Sequence, residues 1–180
     1  MICPYAEDEK TFEAKGPEKF GGAISLKPTY DQNDAKLYSD NRKRASDNSV
    51  TGGKLQIGVD DDEIEIIAKY MGYKTEEVTI SEKKVTVITK SGNDKQKYAG
   101  FGYIDTKEGK YKVNFFKKIK LIPYDSDSQT AEEKTQYSTP TIEADFYLME
   151  DGSFKKEAEV DTLDDAVAVL KEFFKPVAEA

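Results

Sequence analysis

From Lys110 to Leu121 the chain keeps a two-residue period: Tyr111, Val113, Phe115, Ile119 and Leu121 on one phase, Lys110, Lys112, Asn114, Lys118 and Lys120 on the other. Successive side chains of a strand point to opposite faces, so this pattern demands a long strand with one buried and one wet face, as in an antiparallel sheet. The same period recurs at Ile24, Leu26 and Tyr30, at Leu55, Ile57 and Val59, and at Ile142, Ala144, Phe146 and Leu148. Asp151-Gly152, a hairpin-turn pair, leads from the last of these into a strand over 154–160. Shorter strands are expected over 85–89 and 98–104, which makes the chain β-rich.

Two stretches change to helical spacing. Over 162–174, Leu163, Ala166, Val167, Leu170, Phe173 and Phe174 fall on one stripe. Asp161 or Thr162 can cap its start, Asp164 and Asp165 suit the positive end of the dipole, and Pro176 follows its end. Over 62–71, Ile64, Ile67, Ala68 and Met71 share a face, and Gly72 stands in the C-cap position. Between the first two strands, residues 31–53 are rich in Asp, Asn, Ser, Lys and Arg and carry no sustained apolar period. They read as a long polar loop, the best local candidate for partner contact, because structureless connections of that length in a compact domain are usually functional or disordered. A second polar loop is expected over 125–136. With 180 residues and no dividing linker or repeat, one domain is expected.

Missing residue types narrow the chemistry. The chain has no histidine, so triads and dyads built on imidazole are excluded, and with Cys3 as its one cysteine it forms neither an internal disulfide nor a Cys/His zinc site. Cys3 reads as a near-terminal thiol and a cytosolic folding compartment is expected. No apolar run approaches the ~18–20 residues that span a bilayer, and residues 1–10 lack the basic-then-apolar order of a signal peptide. Lys+Arg number 27 against 35 Asp+Glu, a net charge of -8, so the whole molecule repels nucleic acid.

The remaining motifs have simpler readings. Asp60-Asp61-Asp62-Glu63 lacks the alternation and central glycine of a calcium loop and reads as charge at a helix N-terminus. Asp125-Ser126-Asp127-Ser128 starts like one, yet Thr130 and Gln136 stand where the glycine and the bidentate glutamate belong. Gly100-Phe101-Gly102 is no dinucleotide fingerprint and reads as a strand where small residues allow close backbone approach. Arg42-Lys43-Arg44 is a basic patch suited to an acidic neighbour, and Phe115-Phe116-Lys117-Lys118 an amphipathic strand feeding the core. A carboxylate-dependent hydrolase is remote, since the chain lacks the Trp of a sugar platform. No catalytic residue, metal site or cofactor site is expected.

The order of segments carries a resemblance. Gly21-Gly22-Ala23-Ile24-Ser25-Leu26, Leu37-Tyr38-Ser39-Asp40-Asn41 and Gly52-Gly53-Lys54-Leu55-Gln56-Ile57, followed by Tyr98-Ala99-Gly100-Phe101-Gly102-Tyr103, the 110–123 strand, Ser138-Thr139-Pro140-Thr141-Ile142-Glu143 and the closing hairpin and helix, resemble the phage major tail protein family in the same order. These are the tail tube proteins of long-tailed, siphovirus-type phages and prophages, and the likeness runs over about 19–175. It implies a mainly β (α+β) fold, an antiparallel β-sandwich or half-barrel with a packed α-helix. It also implies a non-enzymatic virion protein, made in the host cytoplasm, that self-assembles into stacked hexameric rings.

The implied partners are further copies of itself and the tape measure, distal tail and tail terminator proteins, with genomic DNA passing through the lumen unbound during ejection and no membrane contact. An acidic lumen would suit the charge of -8. Open sheet edges would form the seam between subunits. The 31–53 loop, with Asp31, Asn33, Asp34, Asp40, Asn41, Arg42, Lys43 and Arg44, would make the ring-stacking contact. The alternative is a monomeric β-sandwich that acts as a binding or adhesion module.

Overall fold

The structure, a computed structural model, describes residues 1–6, 11–12, 16–33, 35–39, 42–60, 64–123 and 141–175. Among these residues the fold is mainly β, every strand pairing is antiparallel, and there are two helices. Its main sheet runs β2 (Thr11–Phe12), β1 (Ile2–Ala6), β9 (Tyr98–Lys107), β10 (Lys110–Leu121), β11 (Thr141–Phe146), β6 (Val50–Val59), β3 (Ala23–Gln32), and β12 (Lys155–Val160) joins β10 outside that order. Two ribbons stand off it: β4 (Ala35–Ser39) with β5 (Arg42–Asp47), and β7 (Lys74–Ile80) with β8 (Lys83–Thr89). The helices are α1 (Ile64–Met71) and α2 (Leu163–Phe173).

The long alternating segment is a strand, but its apolar residues do not share one face. Along β9, Phe101 and Ala99 pair with Phe116 and Ile119, so β10 spends one extra residue between them. A bulge of this kind reverses the inside-outside phase. Val113 and Phe115 therefore pack under α2 with Ala166, Leu170 and Phe174, while Phe116, Ile119 and Leu121 belong to a larger core with Leu55, Ile57, Ile142 and Phe146. Phe115 and Phe116 are adjacent and both buried because the sheet is covered on both sides at this point.

The bulge also splits one edge of β10. Ahead of it, Tyr111 to Phe116 pair with β12; after it, Ile119 to Leu121 pair with β11. At the fork the Lys117 amide donates to the Phe154 carbonyl and the Tyr147 amide to the Lys118 carbonyl, both at 2.9 Å. The expected hairpin between the last two strands is thus corrected. A tight turn does form, with the Gly152 amide donating to the Met149 carbonyl at 2.9 Å, yet β11 and β12 each pair with β10 because the bulge frees a different stretch of edge for each.

Both helices form where their spacing places them. Thr162 is the N-cap of α2, its hydroxyl accepting from the Asp165 amide at 3.1 Å. Gly72 closes α1 at φ 74°, where the Tyr73 amide donates to the Ala68 carbonyl at 2.9 Å. Ile64 and Leu163 depart from the expected stripes: each is the first residue of its helix and each is more than half exposed. The glycines of β9 do allow close approach. A Cβ on Gly102 would lie 2.3 Å from Leu170 Cδ1, and one on Gly100 2.5 Å from the Phe12 ring.

The N-terminal segment carries more structure than its composition suggests. Ile2 and Cys3 are fully buried, β1 pairs with β9, and the Ile2 amide donates to the Glu18 carbonyl at 2.9 Å. The Met1 ammonium donates to the Gly102 carbonyl at 2.7 Å, and burial lowers its pKa from 8.0 to about 6.

A base whose folded pKa lies below its unfolded value binds fewer protons when folded, so stability rises from pH 6 to pH 8 and is lost as pH falls through that window. In a chain whose first residue is Met1, the expected gain is about 2–3 kcal/mol, read as a shift of the urea midpoint. No histidine is present to titrate alongside it. A midpoint unchanged between pH 6 and 8 would refute the burial of the amine.

Candidate assembly surface

The expected 31–53 loop is corrected by the structure. Asp31 and Gln32 end β3, Val50 opens β6, and the backbone between them forms the ladder of β4 and β5, from Ala35 opposite Asp47 to Ser39 opposite Arg42. The ribbon is closed at its root, where Gln32 pairs with Val50 and the Asn33 amide donates to the Ser49 carbonyl at 2.9 Å. Its strands pair through the backbone, yet their residues follow no sustained apolar period. For that reason the segment gives no strand signal.

Of the residues expected to make the contact, Asp31 and Asn33 are exposed at this root, and the Asp31 carbonyl accepts from Thr51 Oγ1 at 3.2 Å. Arg42 and Lys43 lie on β5 opposite Ser39 and Tyr38, and Arg44 is the extra residue where the register shifts between Leu37 and Tyr38. The ribbon thus gathers the three basic positions on one strand. Asp34, Asp40 and Asn41 lie outside the described residues, as do Asp61, Asp62, Glu63, Pro176 and the 125–136 segment with its calcium-like start.

Beside the ribbon the main sheet offers open edges and a polar face. Among the described residues, β3 pairs only with β6 and β12 only with β10, so ten residues of β3 and six of β12 present unpaired outer edges. Lys27 and Pro28 on β3 are residue types that blunt an edge against indiscriminate pairing. On the side of the sheet away from the larger core, neighbouring strands set Tyr98, Lys120, Asp145, Lys54 and Thr29 in one row. Glu143, Gln56 and Lys27 form the next, with Gln56 Nε2 donating to Glu143 Oε1 at 3.1 Å.

Lys118 and Lys120 place their ammonium groups 4.1 Å and 4.7 Å from the Tyr98 ring centre. Tyr147 meets that ring edge-on at 5.7 Å, and its pKa is raised, first by burial and then by the Asp145 carboxylate. Charges of both signs alternate here. The face therefore carries both signs of charge, unlike the acidic surface expected of a lumen, and two of its lysines, Lys118 and Lys120, lie over the Tyr98 ring.

Among the described residues no three metal-ligating side chains converge, and no helix is long and apolar enough to cross a membrane. Asp60, the described member of the acidic run, accepts from the Gly22 amide at 2.5 Å and ties the start of β3 to the end of β6. The β7–β8 ribbon was only half foreseen, through its second strand. Its turn, Ser81-Glu82, takes positive φ at both residues without the Asn-Gly pair that announces such turns.

Fold and surface together define a class: an antiparallel β-sandwich with packed helices, open sheet edges and projecting ribbons. No family model, curated protein or solved structure matches the chain.

Proposed function

We propose that the protein is a structural subunit of a phage tail tube, self-assembling into hexameric rings that stack around a lumen through which DNA passes. The observation that supports this most is the pair of open sheet edges, β3 and β12, on one sheet among the described residues. An edge of one copy that pairs with a different edge of the next makes a head-to-tail contact, and such contacts close into a ring when their rotation closes. The resemblance of the segment order to that of major tail proteins supports the same reading. The polar, mixed-charge face of the sheet would line the lumen and the β4–β5 ribbon would reach the adjacent ring. Proteins of the tape measure, distal tail and tail terminator would meet the tube along its bore and at its ends.

The test is negative-stain electron microscopy across a concentration series, with mass measured in solution. Sixfold rings or hollow tubes are the expected result. Because Gln32 and Val50 are paired, residues 33–49 can be exchanged for a two-residue Asn-Gly turn that converts β3 and β6 into a direct hairpin. That variant is expected to keep its fold and to form rings that no longer stack. Tubes from the shortened variant would remove the ribbon from the stacking role, and a persistent monomer of the parent chain with a saccharide or protein ligand would favour a binding or adhesion module.

A further inference from the structure

We draw no further inference here: the strongest candidate, the exposed apolar face of the β7–β8 ribbon formed by Val78, Ile80, Val85 and Val87, carries none because nothing in the structure shows what covers it.

Discussion

Phe115→Ala is expected to lower stability by about 3–5 kcal/mol, the range for emptying a fully buried aromatic site. Phe115 is 1% exposed, and its ring centre lies 4.7 Å from that of Phe174, 5.7 Å from Phe12 and 6.0 Å from Phe173. It is therefore the side chain through which β10 holds both the C-terminal helix and the β2 segment. Rings at these separations, several meeting edge to face, add to the effect of simple area burial. Thermal unfolding should show a loss of about 10–15 °C for a chain of this length. Amide exchange should show α2 opening first while the β3–β6 ladder stays protected. A loss under about 1 kcal/mol, at the low end of core substitutions, would mean that α2 is held by other contacts.

The second large effect is expected at Gly53. A Cβ there would stand 2.1 Å from the Thr29 carbonyl oxygen and 2.6 Å from Cε1 of Phe146. The first of these is backbone on the paired strand and cannot rotate away, so Gly53→Ala forces β3 and β6 apart at the root of the β4–β5 ribbon. The expected cost is about 3 kcal/mol, the upper part of the overpacking range. Gly92→Ala is the control, because a Cβ there meets nothing within 4 Å, and it should stay within about 0.5 kcal/mol of the parent. Urea titration of the pair decides the matter: equal midpoints would show that the two strands do not approach as closely as the structure has them. If the tube reading holds, Gly53→Ala should also impair assembly, since the displaced strand carries the open edge.

The two helices and most of the strands were legible in the residues themselves, because nearly all of them bury one face and so carry a period that burial imposes; β8 keeps the period through Val85 and Val87 although both stay exposed. Leu55, Ile57 and Val59, or Ala166 and Leu170, are buried where their spacing puts them. Thr162 and Gly72 sit at helix ends for reasons that operate within one turn of chain. The segments that escaped notice are those without a two-residue apolar period. The β4–β5 ribbon is defined by a backbone ladder, and in β1 the run Ile2, Cys3, Pro4 and Tyr5 is buried on both sides, which erases alternation.

The candidate surface divides in the same way. Its basic residues Arg42, Lys43 and Arg44 stand out in the sequence, but their place on one strand of a ribbon is a consequence of pairing across the chain. So is the apolar face of β7–β8, since Val78 and Val85 become neighbours only when the ladder aligns them. The sequence by itself determined a β-rich, antiparallel chain with two short amphipathic helices, no imidazole and no internal disulfide, since these follow from side-chain periodicity and residue types. Only the tertiary structure decided that Phe115 and Phe116 face different cores, that β10 is shared between β11 and β12, and which edges stay open. Those outcomes turn on one extra residue in a ladder, and the register of a ladder is set jointly by strands far apart in the chain.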